Sequence, residues 1–82
     1  MNEVFLTGIV IGEISFKFII KSKNISVAKF TIATLDNQKI VLKAYNDCAD
    51  FVYNKLRGND KICVNGKIYN NEVVVESIVK SH

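Results

Sequence analysis

The sequence predicts a mainly β fold, a five-stranded barrel with one short helix between strands 3 and 4. Three observations predict it. Five segments alternate apolar and polar side chains with the period of two that a half-buried strand imposes. One segment, residues 47–57, changes to helical spacing. The 82 residues, 49 % hydrophobic with no Pro and four Gly, suit one globular domain over 1–82, near the lower size at which a single apolar core holds together.

In strand 1, Val4, Leu6, Gly8 and Val10 fall on one side and Phe5, Thr7, Ile9 and Ile11 on the other. Gly8 and Gly12 mark bends of the kind a small barrel needs, and the pattern resumes from Ile14 to about Ile20. Lys21-Ser22-Lys23-Asn24 reads as a turn. Strand 2, Ile25 to Thr34, directs Ala28, Phe30 and Ile32 inward and Val27, Lys29, Thr31 and Ala33 outward. After a turn over Leu35-Asp36-Asn37, strand 3 runs from Lys39 to Tyr45. Ile40, Leu42 and Ala44 point in, and Lys39, Val41, Lys43 and Tyr45 point out.

Ala49, Val52 and Leu56, flanked by Cys48 and Phe51, define the helix from Asp47 to Arg57. Asp47 is the expected N-cap, Asp50 complements the positive helix end, Lys55 and Arg57 the negative end, and Gly58 is the expected stop. Strands 4 (Lys61 to Tyr69) and 5 (Glu72 to about Lys80) are joined by a tight Asn70-Asn71 turn. Ala28, Phe30, Ile32, Leu42, Val52, Leu56, Ile62 and Val64 are the expected core. This element order is that of the OB-fold, a Greek-key barrel whose exposed strand 2–3 face takes oligonucleotides. An SH3-like barrel would not need a helix at that point.

The outward residues of strands 2 and 3 include Lys29, Lys39, Lys43 and Tyr45. Ammonium groups for phosphates and a flat ring for a base are what a single-stranded nucleic acid requires. Lysine also serves merely to keep strands apart, so a solvated face is the competing reading. On strand 1 the outward Phe5, Ile9 and Ile11 are too apolar for water. Either a second copy covers them, or strand 5 or the helix does.

Net charge is +3, which permits a polyanionic partner without demanding one. Cys48 and Cys63 are too few and too far apart for a zinc site, and are expected as buried or half-buried thiols in a reducing cytosol. Met1 to Glu3 lacks a basic region, and no run approaches the ~20 apolar residues of a spanning helix. A cytoplasmic chain without membrane contact is expected. Catalysis is not: His82 is terminal, the eight carboxylates are scattered, and no P-loop, nucleophile elbow or metal cluster is present. No cofactor or small-molecule substrate is implied.

Together "NEVFLTG" (2–8), "VAKFTIAT" (27–34), "KAYN" (43–46), the run from Ala49 through Leu56, Gly58 and Asp60, and "VNGKI" (64–68) resemble the bacterial single-stranded-DNA-binding (SSB) proteins and their smaller primosomal PriB-type relatives. The resemblance covers almost the whole chain in the right order. It implies an OB barrel that dimerises through strand 1, often forms tetramers, and binds single strands with little sequence preference. Tyr45 falls where the family has a stacking aromatic, and Lys39 where many members have a stacking tryptophan. This chain has no Trp, so fewer stacking platforms are expected. The long loops of the family are reduced to turns, and its linker and acidic tail have no counterpart in these residues, which resemble a minimal barrel.

The resulting expectation is single-stranded DNA binding in replication, repair or mobile-element maintenance, with the same chemistry open to RNA. The expected nucleic-acid site is Lys29, Thr31, Lys39, Val41, Lys43, Tyr45, Lys67 and Tyr69. The expected interface of a homodimer or homotetramer is Phe5, Thr7, Ile9 and Ile11. The alternative is an OB module for protein interaction that touches no nucleic acid.

Overall fold

In the computed structural model, residues 2–20 and 24–81 are described. Of the turn expected at Lys21-Ser22-Lys23-Asn24, the first three residues lie outside them, as does the terminal His82, while Asn24 is the first residue of a strand and not part of a turn. The elements are β1 (Glu3–Ile20), β2 (Asn24–Thr34), β3 (Lys39–Tyr45), α1 (Asp47–Lys55), β4 (Lys61–Tyr69) and β5 (Glu72–Ser81). The five strands close into an OB barrel in the order β1-β2-β3-β5-β4. Every pairing is antiparallel except β3 with β5.

Closure depends on β1. Its first part, Glu3–Ile9, pairs with β4, and from Gly8 onward it pairs with β2, so Gly8 and Ile9 have partners on both sides. The register with β2 shifts between Ile11 and Ser15, where Gly12 takes φ 70°. A bulge with a left-handed glycine raises local twist, which lets one strand serve two sides of a barrel. Gly8 has a different role from the bend expected of it. A Cβ there would lie 2.6 Å from the Ala33 carbonyl oxygen, so its bare backbone permits close packing of β1 on β2.

All eight expected core residues are buried, joined by Val10, Ala44, Ala49 and Val75. They come from all five strands and the helix, as inward parity dictates. α1 packs Ala49 and Val52 against the end of the barrel.

Several boundaries differ from the sequence expectation. α1 ends at Lys55 rather than Arg57, because Leu56 becomes extended (φ −88°, ψ 140°) and is buried in the core. Gly58 is therefore not the stop. Arg57 instead donates its backbone N–H to Asp60 Oδ2 at 2.7 Å, in a turn whose left-handed residue is Asn59 (φ 72°). Asp47 is the first helical residue and not the cap. The cap position is Asn46, at φ 53° with no side-chain cap bond, held by its N–H to the Ser26 carbonyl at 2.8 Å. Cys48 is half-buried as expected, but Cys63 is exposed, because its β4 position points away from the core.

Asparagine supplies the tight turns. Asn37, Asn46, Asn59, Asn70 and Asn71 all have positive φ, which this side chain tolerates better than most. Two successive such residues, Asn70 and Asn71, match the turn whose twist suits a two-residue hairpin, and so fix Tyr69 opposite Glu72.

Candidate nucleic-acid interface

Register aligns the outward side chains of three neighbouring strands into rows. Lys17 (β1), Val27 (β2) and Tyr45 (β3) form one row, and Ser15, Lys29 and Lys43 the next. Ile11, Thr31 and Val41 follow, then Ile9, Ala33 and Lys39. A groove of about 350 Å³ runs over the first two rows, lined by Ser15, Lys17, Val27, Lys29 and Lys43. Three ammonium groups from three strands thus surround one depression. Tyr45 stands at its margin, 39 % exposed, which leaves part of the ring free.

One of the lining lysines is paired with a carboxylate. Glu72, the first residue of β5, places Oε2 2.9 Å from Lys43 Nζ. The hydrogen bond from Lys43, with the charges of Lys43 and Lys29, holds the Glu72 carboxyl below the usual glutamate range. The same hydrogen bond and attraction raise Lys43 above the usual lysine value. Lys17 and Lys29 form no ion pair among the described residues.

The expected site residues are not all together. Lys29, Lys43 and Tyr45 lie at the groove. Thr31 and Val41 form the adjoining row, with Val41 44 % exposed. Lys39 lies about 13 Å along β3 from Lys43, at four residues of strand rise. Lys67 and Tyr69 lie beyond β5, the strand that separates β4 from β3. There Lys67 pairs with Glu76 at 3.4 Å, and Tyr69 is opposite Glu72 at the hairpin end. Ser15, Lys17 and Val27 line the groove but were not in the expected site, and Lys17 is the charged one among them. Its signal was the alternation of Ser15 and Lys17 with Ile14, Phe16 and Phe18 on the strand that pairs with β2.

A second, apolar surface lies on the first part of β1 with β4 and β5. Phe5 is 79 % exposed, Val79 63 % and Ile9 42 %, so among the described residues neither β5 nor the helix covers them. Phe5, Thr7, Cys63 and Val79 border a depression of about 290 Å³ there. Ile11 stands apart, half-buried opposite Thr31. Among the described residues no group of His, Cys, Asp or Glu could hold a metal ion, and no helix is long and apolar enough to cross a membrane.

Solved structures of single-stranded DNA binding proteins and of a PriB domain share this architecture. The single-stranded DNA binding protein of Thermus aquaticus superposes with a TM-score of 0.87 at 17 % identity, over 100 % of this chain and 41 % of that one. This chain has the OB-fold seen in that protein. The SSB domain of a Synechococcus protein gives a TM-score of 0.79 at 17 % identity, over 95 % of this chain and 93 % of that one. The N-terminal domain of PriB from Thermoanaerobacter tencongensis, described as dimeric, gives 0.68 at 18 % identity, over 99 % and 97 %. This chain thus spans less than half of the Thermus protein, but nearly all of the two domains. No protein-family model and no curated protein matches the sequence.

Proposed function

We propose that this chain binds single-stranded DNA without sequence preference through the outer face of β2 and β3, extended by Ser15 and Lys17 of β1. The observation that carries the reading is the groove in which Lys17, Lys29 and Lys43 converge beside the half-exposed ring of Tyr45. Phosphates would bind to the ammonium groups, which read charge and not base identity. A base would stack on Tyr45, with Thr31 and Val41 as a further contact and Lys39, Lys67 and Tyr69 as the outer margin of the site. The solved structures that share the fold, several of them single-stranded DNA binding proteins, support the same polymer. RNA offers the same phosphates and equally flat bases.

The proposal includes a bacterial, cytoplasmic setting in replication, repair or mobile-element maintenance. It also includes assembly of two or four copies through Phe5, Thr7, Ile9 and Ile11. The exposure of Phe5 and Ile9, and the dimeric PriB domain of the same fold, support that assembly.

Titrating a fluorescent oligo-dT series at several salt concentrations tests the reading. Affinity should rise with oligonucleotide length and fall with salt, with a log–log slope of about −0.7 for each lysine that displaces a counterion. Absence of binding at low salt would leave the barrel as a protein-interaction module.

A further inference from the structure

We propose that Glu72 acts as an internal stand-in for a phosphate, occupying Lys43 in the free protein and giving it up when a single strand enters the groove. This inference deepens the single-strand reading above and rests on it. Lys29 and Lys43 are direct cross-strand partners with side chains on the same outer face. Like charges placed opposite one another on a sheet repel, so the pair creates a local demand for an anion. Glu72 meets that demand. The parallel pairing of β3 with β5 sets Lys43 opposite Val74, two residues beyond Glu72, and the Asn70-Asn71 turn fixes where β5 begins. The carboxylate is thereby held at Lys43 by regular structure and not by a swinging loop.

One carboxylate against Lys17, Lys29 and Lys43 leaves the groove with an excess of positive charge, so it still attracts a polyanion. A phosphate arriving at Lys43 meets an occupied ammonium and must displace Glu72, and once displaced, the carboxylate repels the same phosphate. Glu72 therefore lowers affinity and makes release easier. Glu76, the next acid on β5, pairs with Lys67 outside the groove and serves as an internal comparison.

The test measures oligo-dT affinity and its salt dependence for the parent, Glu72→Gln, Glu72→Asp and Glu76→Gln, with a thermal melt of each. Glu72→Gln should bind about two- to five-fold tighter, the order that a partly exposed ion pair carries. Its salt slope should steepen by about 0.7, because Lys43 now exchanges a counterion for a phosphate. Glu72→Asp keeps the charge but shortens the reach to Lys43, and should show a smaller gain. Glu76→Gln should bind like the parent. A parent that binds no oligo-dT at low salt removes the single-strand reading itself. A parent that binds, with Glu72→Gln equal or weaker, or with Glu76→Gln gaining as much, overturns the role of Glu72 and leaves that reading intact. Should Glu72→Gln fail to fold, Glu72→Asp decides alone: no gain over the parent overturns the proposal.

Discussion

On β2, Phe30 is buried in the barrel, whereas on β3 Tyr45 stands two residues beyond Lys43 with much of its ring in solvent. Their truncations should have separate consequences. Phe30→Ala removes a large side chain from a core that cannot refill the space, and should cost about 3–5 kcal/mol of stability in a denaturant titration. Tyr45→Ala removes the ring proposed to stack on a base and should weaken oligo-dT binding by about 1–3 kcal/mol with little change in melting temperature. Lys17→Ala and Lys29→Ala should each weaken binding to all sequences and flatten the salt slope, because phosphate contacts carry no base information. If Tyr45 and the lysines can all be removed without loss of affinity, the face is merely solvated. Phe30, Lys29 and Tyr45 were legible in the sequence because parity alone divides a strand into two faces, whereas Lys17 was missed because its strand was not read as part of the site. The Lys43–Glu72 pair was not legible, since it depends on a parallel pairing between β3 and β5 that no local pattern announces.

Turns and bulges set what each element tolerates. At the β4–β5 bulge, Gly66 is buried, and a Cβ there would collide with the Val74 carbonyl, whereas Gly58 has open space around it and an ordinary φ. Gly66→Ala should therefore destabilise by about 1–3 kcal/mol, as overpacking does. Gly58→Ala should be neutral or stabilise by up to about 1 kcal/mol through the unfolded chain. Equal effects in urea titrations would contradict this assignment. Between α1 and β4, the N–H of Arg57 bonds Asp60 and holds its carboxyl below the usual aspartate range, with Lys80 at 3.2 Å adding to the effect. A depressed folded-state value stabilises above the ordinary aspartate pKa and is lost as pH falls through the folded value. Asp60→Asn retains an acceptor oxygen but loses the charge. Its melting temperature should lie below that of the parent at neutral pH, and the gap should close below about pH 4. A gap that persists in acid would assign the effect to something other than ionisation. Strand segments, the helix and its start at Asp47 could be read from the sequence, but its cap and its last residues could not. The cap is set by Asn46 leaving β3 and the end by Leu56 turning into the core, which are tertiary demands.

At the scale of the whole molecule, β1 belongs to two surfaces. Its first part places Phe5 and Ile9 beside β4 and β5, and beyond the Gly12 bulge it places Ser15 and Lys17 beside β2. The apolar patch and the basic groove thus occupy different stretches of one strand, on either side of the Gly12 bulge, and assembly and binding should be separable. A two-fold contact matches an apolar patch with itself, and Phe5 is the most exposed part of this one. Phe5→Glu would bring two carboxylates together at such a contact and remove its central apolar side chain. Sedimentation across a concentration series should show the parent as a dimer or tetramer and Phe5→Glu as a monomer. Because the groove lies elsewhere, the variant should keep the affinity of the parent for an oligonucleotide short enough for one barrel, about 4–16 nucleotides. It should lose the extra affinity for longer ones that linked sites provide. A monomeric parent at high concentration, or a Phe5→Glu variant that assembles normally, would refute the strand 1 interface. Loss of short-oligonucleotide binding in a folded variant would refute the separation of the two faces.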